Sequence, residues 1–266
     1  MTDTTAGNWA EDLELIRRAA REAGDVALGY FGRSPEVWWK NEGRSPVSAA
    51  DFAANDRLET LLRVARPAYG WLSEETDDDP ARLACKTLFV VDPIDGTRAF
   101  INGEATWCVS VAVVHRGRPV AGVLYAPALG EEFMAVAGGA AQKNGVEICT
   151  SQPRPGEARR IAVAEEMLRR FDDGFRSTLH RIRHVPSLAY RLAMVADGRI
   201  DGTVVMRNSH DWDLAAADLI LERAGGRLVG LDRLPLAYNR QGVTHGVLCA
   251  GAEHLLESLV RGLASG

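Results

Sequence analysis

The sequence predicts a mixed α/β protein of the α+β kind, built from two closely packed halves. Three observations carry that reading. Apolar residues between positions 11 and 31 recur by threes and fours, the period of a helix with one buried face. Residues 107–136 alternate or run β-branched between turn residues, the pattern of neighbouring antiparallel strands. Beyond residue 158, strand-like and helix-like segments alternate, which implies a helix-covered sheet containing parallel pairs.

Leu13, Ile16, Ala19, Ala20, Ala23, Ala27 and Tyr30 give the first helix its inner face, and Gly32 ends it. A polar loop containing Gly43 and Pro46 follows. Ser48 and Asp51 have the spacing of a capping box, so a second helix opens there. Leu58, Leu61, Leu62 and Ala65 face inward on it, and Pro67 stops it. Leu88-Phe89-Val90-Val91 is all apolar, as in a strand buried on both faces, and it ends abruptly at Asp92-Pro93-Ile94-Asp95-Gly96-Thr97. Trp107–His115 and Pro119–Tyr125 pair across a tight turn at Arg116-Gly117-Arg118, and Glu132–Val136 adds a third strand. In the second half, strands at 159–164, 200–206 and 246–250 alternate with helices at 187–196, 213–224 and 253–263. The short stretch 151–156, with its Pro and Gly, divides residues 1–150, the helices and antiparallel sheet, from an α/β half at 151–266.

A chain of 266 residues can bury a sizeable core, and 46% hydrophobic with 25% charged residues is ordinary globular usage. Lys plus Arg number 31 against 36 Asp plus Glu, for a net charge of −5. That balance offers no basic field for nucleic acid and no cationic face for anionic lipid. It leaves room for a small anionic substrate, because a bound metal inverts the local sign. No apolar run approaches the ~18–20 residues that span a bilayer, and MTDTTAGNWAEDLEL lacks the regions of a signal peptide. Cys85, Cys108, Cys149 and Cys249 form no CxxC pair, so reduced, mostly buried thiols and a cytoplasmic location are expected.

The chemistry gathers in the acids. Asp92 and Asp95 stand at the exit of a buried strand, and Gly96 lets the backbone turn or be approached closely. A helix opening at Thr97 would aim its free N–H groups at the same place, an arrangement that binds phosphate. Glu74 and Glu75 end an apolar stretch, Asp51 lies in the first turn of a helix, and Asp211-Trp212-Asp213 opens another. Taken singly, each has a structural reading: an acidic turn, a solvated loop charge, or a carboxylate complementing a helix dipole. Taken together they supply four or five carboxylates, the donor set that paired hard cations such as Mg²⁺ require. His210 has a solvated or structural reading, and Trp38, Trp39 and Trp107 read as core or cleft wall.

The series Asp51, Glu74-Glu75, Asp92-Pro93-Ile94-Asp95-Gly96-Thr97 and Trp212-Asp213-Leu214-Ala215-Ala216 resembles the inositol monophosphatase superfamily of Mg²⁺-dependent, lithium-sensitive phosphatases. The likeness runs from about residue 11 to 251. It implies a layered αβαβα sandwich of the inositol monophosphatase and fructose-1,6-bisphosphatase type, a homodimer, two or three Mg²⁺ per site and inhibition by Li⁺. By the same resemblance Glu74, Asp92 and the carbonyl of Ile94 hold a first metal. Asp92, Asp95 and Asp213 hold a second, and Asp51 acts through waters at the third or the second. Thr97 with Glu74 orients the attacking water. Asp95, Gly96, Thr97, Ser187, Arg207 and Asp213 are expected on the phosphate and substrate side, and Lys40 matches a basic position beside the metals.

The expected substrate is a small phosphate ester, with two candidates. Inositol-specific members carry a Glu about seven residues before the WD aspartate, and none stands between Thr203 and His210. Arg207 could meet a second phosphate there instead. Ser45-Pro46-Val47, Leu72-Ser73-Glu74-Glu75, 122–127 and Pro235-Leu236-Ala237-Tyr238 look more like the bacterial 3′(2′),5′-bisphosphate nucleotidase branch. Ile94 and Arg98-Ala99-Phe100 depart from that branch, which often has Leu and Lys-Glu-Phe. Inositol monophosphate and adenosine 3′,5′-bisphosphate both stay open, with histidinol phosphate and sugar bisphosphates behind them. A regulatory role beside RNA-processing or transcription machinery is the alternative from a different class.

Overall fold

The structure, a computed structural model, describes residues 9–33, 36–40, 45–152 and 156–264. Gly43, residues 153–155 of the expected boundary, and the side chains of Trp39, Lys40 and Ser45 lie outside the described set. In chain order come α1 (Trp9–Leu28), β1 (Val37–Lys40), β2 (Ser45–Ser48), α2 (Ala49–Ala65), β3 (Gly70–Ser73), β4 (Thr87–Asp95) and α3 (Thr97–Ile101). β5 (Cys108–His115), β6 (Arg118–Ala126), β7 (Glu131–Val136), β8 (Gln142–Lys143) and β9 (Val146–Glu147) follow. The remainder is β10 (Arg159–Ala162), α4 (Glu165–Leu168), α5 (Asp173–Arg176), β11 (Leu179–Arg181), α6 (Leu188–Ala196) and β12 (Gly202–Val205). The chain closes with α7 (Asp211–Arg223), β13 (Arg227–Gly230), β14 (Leu248–Gly251) and α8 (Glu253–Ala264).

These elements stack as five layers, αβαβα, held by three hydrophobic cores. Phe89 and Val91 of β4, with Val109, Val111 and Val113 of β5, face α1 and α2. Leu88 and Val90, with Ala112 and Val114, face the other way, onto α6 and α7. That division is the period-2 alternation of strands buried on both faces. The seven-stranded sheet has the order β3-β4-β5-β6-β7-β8-β9, parallel at β3–β4 and antiparallel elsewhere. The five-stranded sheet has the order β11-β10-β12-β14-β13. β10 runs parallel to β11 and β12, whereas β14 is antiparallel to β12 and β13. Its inner face joins α6 and α7, and its outer face packs against α8 through Val204, Leu255 and Leu259.

Helix α7 lies flat on the larger sheet, which brings its first turn to the sheet edge where the acids of β4 emerge. A Cβ added at Gly122 of β6 would stand 3.0 Å from the Ala216 backbone, so only glycine admits this approach. The alanines at 215–217 keep α7 that close, and Ser110 Oγ donates to Trp212 O at 3.0 Å.

Several elements differ from the sequence reading. The polar loop around Pro46 is a two-stranded ribbon, with Trp38 opposite Val47 and Trp39 opposite Pro46. Proline is tolerated there because a two-stranded ribbon leaves an outer edge needing no ladder hydrogen bond. β4 does not end at Val91 but runs on through Asp95. β3, α4, α5, β11 and β13 are short segments without a pattern long enough to read. α7 opens at Asp211 rather than Asp213, and β14 at Leu248 rather than Gly246. The four thiols are free, as expected. Among the described residues no helix is long and apolar enough to cross a membrane.

Candidate active site

One edge of the seven-stranded sheet collects the acids. β3 and β4 run parallel, so Glu74, just past β3, arrives beside Asp92 near the end of β4. The Glu74 N–H donates to Val91 O at 3.2 Å and secures that placement. Asp51 enters from the first turn of α2, Asp213 from the first turn of α7, and Ser187 caps α6. Helix N-termini carry partial positive charge and orphan N–H groups, which favours carboxylates there.

A bulge aims the two aspartates of β4. Residues three apart on a regular strand face opposite sides. Here pairing steps from Asp92 opposite Ser110 to Asp95 opposite Cys108, three residues against two. The extra residue re-aims the chain, and both carboxylates reach one cavity. Gly96 then turns the chain into α3 at φ +95°, where a Cβ would stand 3.0 Å from Ser187 Cβ and 3.2 Å from Thr106 O. Both the dihedral and the space require glycine.

The cavity holds about 270 Å³ and is lined by Glu74, Asp92, Ile94, Asp95, Gly96, Thr97 and Asp213, with Pro46, Arg98, His184 and Pro186. Carboxylate oxygens of Glu74, Asp92 and Asp213 lie within 4.8 Å of one another. Each ionised pair at that range costs about 3 kcal/mol or more at an effective dielectric near 20. Burial, then Glu74, Asp95, Asp213 and Asp51 in turn, push the Asp92 carboxyl well above its ordinary value. An all-oxygen donor set this crowded fits a hard divalent cation, which replaces repulsion by attraction.

Asp95 belongs to the same cavity but not to that triad. The entry of α6 holds it: Ser187 Oγ and the Ala189 N–H, the latter at 2.7 Å, donate to Oδ2, and the Leu188 N–H donates to Oδ1 at 3.3 Å. Burial and the charge of Asp213 still push it up to about 7, against those hydrogen bonds. Asp95, expected to hold a second metal with Asp92 and Asp213, thus lines the same cavity while its oxygens accept hydrogen bonds from the start of α6. Ser187 touches Asp95 rather than facing open space.

Asp51 forms the expected capping box, accepting the Ser48 N–H at 2.8 Å and the Ser48 hydroxyl at 2.7 Å. Burial pushes it up to about 6, opposed by Ser48 and Thr97 and reinforced by Glu75. Thr97 Oγ1 has a single proton and two acceptors, Asp51 Oδ1 at 3.2 Å and Ile94 O at 3.1 Å. Asp213 Oδ2 accepts the His210 N–H at 2.7 Å, and the His210 ring stacks on Trp212 at 4.6 Å. His210 thus caps α7, the structural reading, and Trp107 is core.

Arg207 does not join the site. It is exposed and lines a separate cavity of about 670 Å³ that shares no residue with the carboxylate cavity. The side chain of Lys40 lies outside the described set. Pro46 of β2 and Arg98 of α3, quoted above only for the resemblance, also line the cavity, and His184 and Pro186 reach it from the loop before α6, which carries no motif of its own.

The sequence profile of the Inositol monophosphatase family matches residues 8–264. The chain belongs to the inositol monophosphatase family. Its relatives within the family differ in chemistry. One is the 3′(2′),5′-bisphosphate nucleotidase CysQ of Aggregatibacter actinomycetemcomitans, 30% identical over 86% of this chain and 88% of that one. Another is the histidinol-phosphatase of Chlorobaculum parvum, 31% identical over 81% of this chain and 84% of that one. Among solved structures, the extragenic suppressor protein suhB from Bartonella henselae superposes with a TM-score of 0.84. It is 30% identical and covers 96% of this chain and 99% of its own. Metal dependence is general to this family, and the carboxylate triad is where this member has the donors for it.

Proposed function

We propose that this chain is a Mg²⁺-dependent phosphomonoesterase that hydrolyses a small phosphate ester with an activated water. One observation carries the reading: Glu74, Asp92 and Asp213 converge beside Thr97 on one cavity. Glu74, Asp92 and the Ile94 carbonyl would hold one cation, and Asp92 with Asp213 and Asp95 another. When bound, such cations cancel carboxylate and phosphate charge and acidify water at neutral pH.

The chain's own groups do the rest. Asp51 Oδ1 accepts the Thr97 proton, which turns the Thr97 Oγ1 lone pairs toward the cavity to orient a water. Glu74 accepts a proton from that water as its oxygen bonds to phosphorus. The bond from phosphorus to the ester oxygen breaks, and the leaving oxygen takes a proton from solvent. The Gly96-Thr97 backbone walls the phosphate side. Phosphoryl transfer asks mainly for positioning and charge stabilisation, which this arrangement offers.

The ester we favour is adenosine 3′,5′-bisphosphate. His184 and Pro186 also line an adjoining cavity of about 640 Å³, bounded by Met194 and Ile182 as well as Arg183, which suits a leaving group with apolar ring faces. Likeness to a bisphosphate nucleotidase points the same way. The test is phosphate release from adenosine 3′,5′-bisphosphate, inositol 1-phosphate and histidinol phosphate at millimolar Mg²⁺, with and without Li⁺. The expected result is turnover abolished by EDTA, inhibited by Li⁺ and highest kcat/KM for the bisphosphate. Folded Asp92→Asn with wild-type turnover would overturn the metal reading. A higher kcat/KM for inositol 1-phosphate would overturn the substrate choice alone.

A further inference from the structure

Beside the carboxylate site lies a second buried acid that the proposed reaction does not use. Asp211 opens α7, two residues before Asp213, and has no exposed surface. Its Oδ1 lies 2.7 Å from Nε2 of His245, which is itself buried. Its Oδ2 accepts the Asn239 N–H at 3.1 Å, and its own N–H donates to Val243 O at 2.9 Å. His245 is stitched to the segment leading into α7: its N–H donates to Ser209 O at 2.8 Å, and its carbonyl accepts the Asn208 N–H at 2.9 Å. From the far side the buried Arg82 guanidinium donates to Asn239 Oδ1 at 2.8 Å and Arg240 O at 3.1 Å.

A fully buried carboxylate is strongly unfavourable unless it is paired and hydrogen-bonded, so its presence at this point asks for a cause. Farther along α7, Asp218 accepts the Tyr238 hydroxyl at 2.9 Å, Arg118 donates to Glu222 at 2.8 Å and Arg223 donates to Gly139 O, but these anchors lie beyond the turn that carries Asp213. Next to that first turn α7 meets the sheet through Ala215 and Ala216, small apolar surfaces that give little directional hold. The directional contacts of the first turn itself are made by Asp211, Trp212 O and Asp213. We propose that Asp211 and His245 are positioning residues: their contact sets the first turn of α7, and so where the Asp213 carboxylate stands relative to Glu74 and Asp92. The inference rests on the reading that this triad holds divalent cations.

The test is calorimetric titration of Mn²⁺ into wild type, His245→Ala, His245→Gln and Asp211→Asn, with melting curves to establish folding. Partners that orient metal-holding side chains typically matter 10–100-fold in affinity, and about 10-fold weaker binding is expected for His245→Ala. His245→Gln, whose amide can still reach Asp211, should recover most of that loss. In turnover assays kcat should fall with KM for the ester little changed. His245→Ala keeps Asp211 itself, so removal of that acid cannot explain its effect. Unchanged Mn²⁺ affinity in folded His245→Ala overturns the proposal, even if its Tm drops. So does weakened binding in Asp211→Asn alone, which would mark a charge effect rather than a positional one. If His245→Ala fails to fold, the decision passes to His245→Asn, whose shorter amide cannot span the contact. Wild-type affinity there overturns the proposal equally. Absence of Mn²⁺ binding to wild type would count instead against the metal reading itself.

Discussion

Thr97 shows how much one hydroxyl is asked to do. Its single proton has two acceptors in reach, Asp51 Oδ1 and Ile94 O, so the orientation of its lone pairs follows from which of them takes it. Thr97→Ala is expected to lower kcat about 10²-fold or more with a smaller change in KM, because orientation counts most in the transition state. Thr97→Ser keeps the hydroxyl and should retain activity within about 10-fold. Steady-state kinetics on the three proteins checks this, and equal losses in both variants would assign the effect to the methyl group or the local fold. At this scale the sequence is legible where function and local structure share a motif. Ser48 and Asp51 form the capping box their spacing implies, and Asp92, Thr97 and Asp213 meet as their motifs imply. Arg207 lies away from the site because spacing from the WD motif says nothing about which side of a turn a side chain leaves. Asn208 next to it has φ +73°, a left-handed turn that no residue pattern there announces.

At the scale of elements, the site is a junction, and the junction is a bulge followed by one left-handed residue. The bulge brings Asp92 and Asp95 to one side, and Gly96 starts α3 where Ser187 and Thr106 leave no room for a side chain. Gly96→Ala combines an unfavourable positive φ with two contacts tighter than van der Waals distance. It is expected to cost about 1–3 kcal/mol of stability and to reduce kcat, because the Ser187 end of α6 must move and carries Asp95 with it. Denaturant unfolding measures the first part and phosphate release the second. Stability within about 0.3 kcal/mol of wild type would mean that the turn relaxes freely. The long periodic helices and strands are readable because burial on one or both faces writes itself into the sequence. Short β3, β11 and β13 are not, since they hold at most two apolar residues in a row, whereas the equally short β10, β12 and β14 overlap longer apolar runs. The β1–β2 ribbon hides behind Pro46, a residue that argues against a strand until an outer edge is known to be free.

For the whole molecule, the buried acids make stability depend on pH in an unusual direction. Asp51 and Asp218 are pushed up to about 6 and Asp95 to about 7. For Asp218, outside the candidate site, burial is the main cause, opposed by Arg118 and the Tyr238 hydroxyl. A carboxyl whose value is raised on folding binds its proton more tightly in the folded state. Its contribution is therefore complete below about 4 and is lost as pH rises through 6 to 7. Acids of the opposite sign act below that window. Glu131, where Lys143, Tyr190 and Arg199 outweigh burial, loses its stabilisation only as pH falls below its ordinary 4.5. His184, held low by partial burial and by Arg191 and Arg181, opposes the trend, but the residue is exposed and its share is small. The metal-free protein should therefore melt about 5–10 °C lower at pH 7.5 than at pH 5, the reverse of ordinary acid destabilisation. Asp218→Asn should remove part of that slope at every cation concentration, because its carboxylate lies away from the carboxylate cavity. Saturating Mg²⁺ should remove the part owed to Asp92 and Asp95, the raised acids that line the carboxylate cavity, since a cation stabilises the ionised folded form by mass action. Melting curves between pH 5 and 8, with EDTA or with Mg²⁺, separate the two shares. A metal-free Tm that rises over this range, or a slope that Mg²⁺ leaves intact, would show that the clustered carboxylates do not carry the charge cost assigned to them.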